Sequence, residues 1–328
     1  MDEIYLTIFF ICLLLFLLGS GVWVALSMVA VSAIGMMLFT SRPVGDAMAT
    51  TIWGTSSSWS LTALPLFVWM GEILFRTKLS ENLFKGLSPW LSKLPGGLIH
   101  VNVVGCALFA AISGSSAATV ATVGKMSIPE LRKRKYPEKL LLGSLAGSGT
   151  LGLLIPPSII LIIYGVTIED SIAKLFMAGI LPGIMIALIF MSYVVIWSIL
   201  NKKLMPKNLQ NFSFSQKIKA SKQLFPVILL IGSVIGSIYT GVATATEAAS
   251  LGVVGALILS WLQQTLNRKT FKLSLLGATK TSCMIAFILA GSTFLSLAMG
   301  FTGLPRNLAI WINNMNLSPF MLIFILTI

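Results

Sequence analysis

The chain has 328 residues, 56% of them hydrophobic and only 10% charged, against about one-quarter charged in a soluble globular domain. That composition, with a mean hydropathy of +0.93, excludes an ordinary soluble domain and describes a multi-span membrane protein. The formal charge of +13 does not point to nucleic acid, because the Lys and Arg fall between apolar runs, where cytoplasmic loops of membrane proteins collect them.

Residues 4–39 are almost wholly apolar and interrupted at Gly19-Ser20-Gly21, which predicts two short helices over 4–18 and 22–39, with one long tilted helix as the alternative. Met1-Asp2-Glu3 lacks a basic leader region, so no cleavable signal peptide is expected. After a mixed stretch from Arg42 to Ser60, a third span is expected over 61–75. Leu79, Leu83, Leu87, Trp90, Leu91 and Leu94 then recur near helical spacing among Lys85 and Lys93, as in a helix lying along the membrane surface. Residues 98–124 follow, then a basic loop with Lys125, Arg132, Lys133, Arg134, Lys135 and Lys139. A segment over 137–166, a long span over 175–200, and spans over 224–241, 246–263 and 281–300 complete the pass. Arg306 is read as a solvated loop residue near the outer surface, followed by an amphipathic piece and an apolar stretch from Ser318. Thr244 and Glu247 form a capping box. Cys12, Cys106 and Cys283 are far apart in apolar segments and read as core residues rather than a metal set or disulfide framework. The single histidine, His100, is placed at the interface.

Basic loops stay in the cytoplasm. That rule puts 76–97, 125–139, 201–222 and 264–280 inside, and 40–48, 167–174 and 301–306 outside. The segment 98–124 therefore enters and leaves on the same side and is expected to be a re-entrant helical hairpin. An internal repeat at an offset of 220 residues sets Gly21, Val22 and Ala25 on Gly241, Val242 and Ala245, then Gly35 on Gly255 and Gly71 on Gly291. The two halves have opposite orientation, the inverted-repeat pattern of secondary transporters. Residue 328 corresponds to about residue 103 of the first repeat, so roughly 100 further residues with a second hairpin are expected in a complete protein of this design.

Two polar islands sit within apolar sequence: Ile112–Thr119 (ISGSSAAT) and Gly147–Ser158 (GSGTLGLLIPPS). Helix broken at membrane depth survives only where protein or a watery cavity surrounds it. The Ser-Gly-Ser-Ser tip leaves two helix ends meeting, one offering carbonyls and the other N–H groups. Pro156 and Pro157 remove two donors, which frees nearby carbonyls, and the glycines allow close approach. Hydroxyl and carbonyl oxygens suit a Na⁺ ion beside an anionic substrate, and the absence of a carboxylate in either island disfavours a proton relay. Close helix packing is the competing explanation of small residues; the Pro-Pro pair favours the broken-helix site. An intramembrane serine hydrolase with Ser115 as nucleophile would need a base, and His100 lies far from the tip. A channel or scaffold subunit would not need the inverted symmetry.

The segments Ser113–Thr119 (SGSSAAT), Ser127–Leu131 (SIPEL), Gly143–Pro157 (GSLAGSGTLGLLIPP), Gly179–Gly183 (GILPG) and Thr244–Ala248 (TATEA) resemble the large membrane subunit of tripartite ATP-independent periplasmic (TRAP) transporters. The resemblance is clear over about 110–250 and looser elsewhere. It implies an all-α, inverted-repeat secondary transporter of elevator type, with a re-entrant hairpin and broken helices, in the inner membrane of a bacterium or archaeon. The implied parts are scaffold helices over 1–97, a transport part over 98–200 with hairpin 98–124 and broken helix 137–166, and a second scaffold over 201–328 that stops before its own hairpin. The implied cargo is an organic-acid anion of the sialic acid or C4-dicarboxylate class, driven by Na⁺. Implied Na⁺ ligands are Ser113, Ser116 and oxygens of Gly152, Ile155 and Pro157, with Gly114, Ser115, Thr150 and Pro156 on the substrate side. Implied partners are a periplasmic binding protein and a small four-helix membrane subunit.

Overall fold

The computed structural model describes residues 3–77, 79–206, 212–315 and 317–327, and every regular element among them is helical. In chain order the α-helices are α1 (Glu3–Gly19), α2 (Val24–Phe39), α3 (Val44–Ser56), α4 (Ala63–Phe75), α5 (Leu79–Leu91), α6 (Ile99–Ser113), α7 (Ser116–Lys133) and α8 (Glu138–Gly149). They continue as α9 (Ile159–Thr167), α10 (Ile172–Leu200), α11 (Phe214–Ser221), α12 (Phe225–Tyr239), α13 (Ala245–Leu262), α14 (Arg268–Phe301), α15 (Leu304–Asn314) and α16 (Pro319–Thr327). Among the described residues, α10, α13 and α14 are each long and apolar enough to cross a bilayer alone. Exposed Trp23, Trp53, Trp59 and Trp261 stand at or beside helix ends, as membrane-belt residues do.

The chain falls into two compact units, Met1–Ser58 with Cys283–Ile328, and Trp59–Ser282. In the first, α1 and α2 meet where Gly35 admits the ring of Phe10; a Cβ there would lie 2.5 Å from that ring. Met36 of α2 packs with Phe294 and Ala298 of α14, and the Arg42 guanidinium lies 4.5 Å above the Phe301 ring.

The second unit holds both islands. α4 pairs closely with α13, where Gly252 receives Met70. The capping box opens α13 as expected: Thr244 Oγ1 accepts the Glu247 N–H, and the Glu247 carboxylate accepts the Thr244 N–H at 2.8 Å. α6 and α7 form an antiparallel pair about 22 Å and 27 Å long at 1.5 Å per residue, too short for ~30 Å of hydrocarbon. The two ends of this hairpin are tied at one level: the Leu98 N–H donates to the Tyr136 hydroxyl at 3.1 Å. α8 then runs back along both arms, the chain breaks, and α9 resumes.

Three expectations change. The basic stretch after residue 124 is not loop, because α7 continues to Lys133. Likewise α14 begins at Arg268, so the basic segment 268–280 is helical. Arg306 is exposed but lies within α15. The side chain of His100, at the start of α6, is buried within the protein, since the 94–97 turn folds back over the first turn of α6 and the Pro95 carbonyl accepts the Nε2–H at 2.8 Å.

Candidate functional site

The hairpin tip is a two-residue turn. α6 stops at Ser113 because Gly114 takes the left-handed conformation (φ +58°), which a side chain disfavours. Ser115 caps α7, its hydroxyl accepting the Ala118 N–H at 3.4 Å. Ser113 is buried; its hydroxyl shares a 2.9 Å hydrogen bond with Thr119 and accepts the Ser115 N–H at 3.3 Å. The Ser116 hydroxyl is buried and has no hydrogen-bond partner. Such an atom calls for an explanation, and an ion or water is one.

At the second island, α8 ends at Gly149, a 3₁₀ turn covers Thr150–Leu153, and the Pro156–Pro157 pair precedes α9. A helical carbonyl bonds the N–H four residues on. Gly152 loses that donor because Pro156 has none, and the Ile155 N–H is donated to Leu151 O at 2.9 Å. Leu153 loses its donor to Pro157 and is compensated by the Ser158 hydroxyl at 2.7 Å. Ile155 loses its donor differently: the Ile159 N–H is donated across to Gly114 O at 3.3 Å. Three carbonyls named from the sequence, those of Gly152, Ile155 and Pro157, thus lie at or beside the break.

The islands interlock. A Cβ on Gly114 would lie 2.6 Å from Pro157 O, and one on Gly152 would lie 3.0 Å from Ser116 N. The structure therefore brings Gly114 against Pro157 and Ser115 and Ser116 against Gly152, with Ser113 beside them in the tip and Ile155 and Pro156 in the intervening break. Thr150 stands apart: it is exposed, and its hydroxyl donates to Gly147 O at 2.7 Å. The tip is also the junction of two helix N-termini (α7, α9) with the C-termini of α6 and the 3₁₀ turn, so N–H and carbonyl ends converge there.

Other residues shape this site; the sequence singled out the motifs and the repeat that contain them, but not these roles. Thr119 holds Ser113. Gly71 of α4 seats the tip, since a Cβ would lie 2.9 Å from Ser113 Cα. Gly179 and Gly183 of α10 seat the break, where a Cβ would come 2.5 Å from Leu154 O and 2.8 Å from the Ile155 side chain. Gly71→Ala is expected to lower stability by about 1–3 kcal/mol, because the obstruction is backbone and cannot rotate away. Thermal unfolding of the purified protein checks this.

A serine hydrolase finds no support here. His100 is about 20 Å along α6 from the tip at 1.5 Å per residue, and Ser115 is occupied as a cap. Among the described residues, no group of three His, Cys, Asp or Glu could hold a metal ion.

The family described as "Tripartite ATP-independent periplasmic transporter, DctM component" matches residues 10–328. The chain belongs to this family. It is a TRAP transporter large permease subunit, a membrane protein and not an enzyme. Relatives of this DctM-family permease include the C4-dicarboxylate TRAP transporter large permease protein DctM of Pseudomonas aeruginosa, 33% identical over 90% of this chain and 69% of that protein. The sialic acid TRAP transporter large permease protein SiaM of Vibrio cholerae is 31% identical over 95% of this chain and 72% of its own length. The isethionate TRAP transporter permease protein DctMQ of Oleidesulfovibrio alaskensis is 31% identical over 90% of this chain and 46% of its own.

Proposed function

We propose that this DctM-family permease carries a small organic-acid anion, of the C4-dicarboxylate or sialic acid class, into the cell together with Na⁺ across the bacterial inner membrane. One observation carries the reading: the buried, unpartnered Ser116 hydroxyl lies where Gly152 meets the hairpin tip, beside carbonyls stripped of their helical donors. Ser113, Ser116, and the carbonyls of Gly152, Ile155 and Pro157 supply hard oxygens for Na⁺. Gly114, Ser115 and Pro156 line the side that takes the anion, where the N-termini of α7 and α9 favour negative charge; Thr150, exposed and apart from the tip, is left out of it.

The names of relatives extend the proposal to partners. A periplasmic binding protein delivers the anion, and a small membrane subunit, present as a fusion in a DctMQ relative, braces the permease. The part over 98–200 moves as an elevator against helices of 1–97 and 201–328. The opposite orientation expected for the two repeats from their basic loops fits this division, because inverted symmetry supplies two related arrangements.

The test is uptake into proteoliposomes holding the full permease complex and its binding protein. Uptake is expected with an inward Na⁺ gradient and not with K⁺ in its place. Equal rates with K⁺, or with a proton gradient alone, would overturn Na⁺ coupling.

A further inference from the structure

The most basic part of the chain is also the part that leaves the span direction. No Asp or Glu occurs between Asp170 and Glu247, while Lys202, Lys203, Lys217, Lys219 and Lys222 all do. α11 lies at the centre of this stretch and is bent by 53° from α12, an apolar helix with Phe225, Ile228 and Leu229 exposed. The 8-residue α11 is held in place by its own capping box, Ser213 with Gln216.

The contact with α5 leaves α11 partly bare. It is fastened to α5 through Trp90, whose indole N–H donates to the Ser221 hydroxyl at 2.9 Å, with the Lys217 ammonium 5.4 Å above the same ring, and Leu224 just beyond α11 fills the space left by Gly86. Phe214 (69% exposed) lies on the same stripe as Lys217 and Ser221, one to two turns before them; with Ile218 (48% exposed) it forms an exposed i, i+4 pair that flanks the contact, continued by exposed Lys222, with exposed Lys219 further round the helix. Large apolar groups framed by uncompensated lysines are the arrangement of a helix lying in a bilayer interface, and the charge sign selects an anionic surface.

We propose that α11 docks on anionic phospholipid head groups of the cytoplasmic leaflet. Phe214 and Ile218 enter the upper acyl layer, and Lys219 and Lys222 meet the phosphates. Because α11 is fastened to α5, and α5 packs against both arms of the hairpin, this contact fixes the depth of the hairpin base. Acidic lipid thereby becomes a requirement for full transport rate.

The experiment places a spin label at position 218 (Ile218→Cys, the three native cysteines changed to serine) in the full permease complex. Its access to oxygen and to a water-soluble nickel chelate is compared in vesicles of phosphatidylcholine alone and with ~30% phosphatidylglycerol, enough to give a negative surface potential. The label is expected to move from water towards the acyl layer when phosphatidylglycerol is present. The K219Q/K222Q pair loses that shift, and the K219R/K222R pair, which keeps the charge, retains it. Initial uptake in the same vesicles is expected to rise with phosphatidylglycerol for the parent and the arginine pair, and not for the glutamine pair. A label equally wet in both lipids, or equally buried in both, overturns the proposal. Uptake that ignores phosphatidylglycerol while the label moves overturns the control of rate. The depth reading needs no transport, so a failure of Na⁺ coupling leaves it intact.

Discussion

Ser116→Ala is expected to raise the Na⁺ concentration for half-maximal uptake by roughly 10–100-fold, the range seen when a group supporting a metal site is lost. Its effect on folding separates the ion role from a structural one. The Ser116 hydroxyl is buried without a partner, so its removal breaks no internal hydrogen bond and relieves an unsatisfied group. Thermal stability without Na⁺ is therefore expected to hold or rise while Na⁺ affinity falls. Ser113→Ala differs, because it also removes the bond to Thr119; stability falls by about 1 kcal/mol as well. Uptake with unchanged Na⁺ dependence in both variants would remove these serines from the ion site.

Gly114→Ala is expected to be the most damaging single methyl in the hairpin. Its φ of +58° costs a side chain about 1–2 kcal/mol. The new Cβ would also lie 2.6 Å from Pro157 O, a backbone obstruction of about 1–3 kcal/mol. Together they should lower stability by about 2–5 kcal/mol and separate the tip from the break. Gly114→Asn and Gly152→Ala apportion the loss. Asn tolerates the left-handed backbone but keeps the obstruction; Gly152 has a close neighbour at 3.0 Å without a positive φ. Thermal unfolding of the three variants is expected to rank Gly114→Ala lowest. A melting curve for Gly114→Ala equal to the parent's would mean that the tip does not dock as described.

What could be seen in the residue string follows from which physics is local. Pro156 and Pro157 delete donors whatever surrounds them, so the break and its freed carbonyls were readable at once. Lys85 and Lys93 on one side, and Arg132 to Lys135 on the other, announced a segment that returns to the side it left, and the Leu98–Tyr136 bond shows its two ends together. Charge was a poor guide to helix ends. Lys and Arg are good helix formers, so α7 runs through exposed Lys125 and α14 starts at Arg268. The seats at Gly71 and Gly179 could not be read, because a glycine becomes a seat only through the backbone that it faces. Thr119 was hidden likewise; its role depends on a turn that brings it back to Ser113.

The bond from the Ile159 N–H to the Gly114 carbonyl joins residues 45 positions apart. Parting them inside the membrane would strand one donor and one acceptor where no water waits, at several kcal/mol for each. Peeling the hairpin off the broken helix is therefore the expensive way to expose the ion, and carrying both across together is the cheap one. The amide proton of Ile159 is shielded through a cycle of the second kind and laid open in every cycle of the first. A single backbone proton thus distinguishes a carriage from a gate.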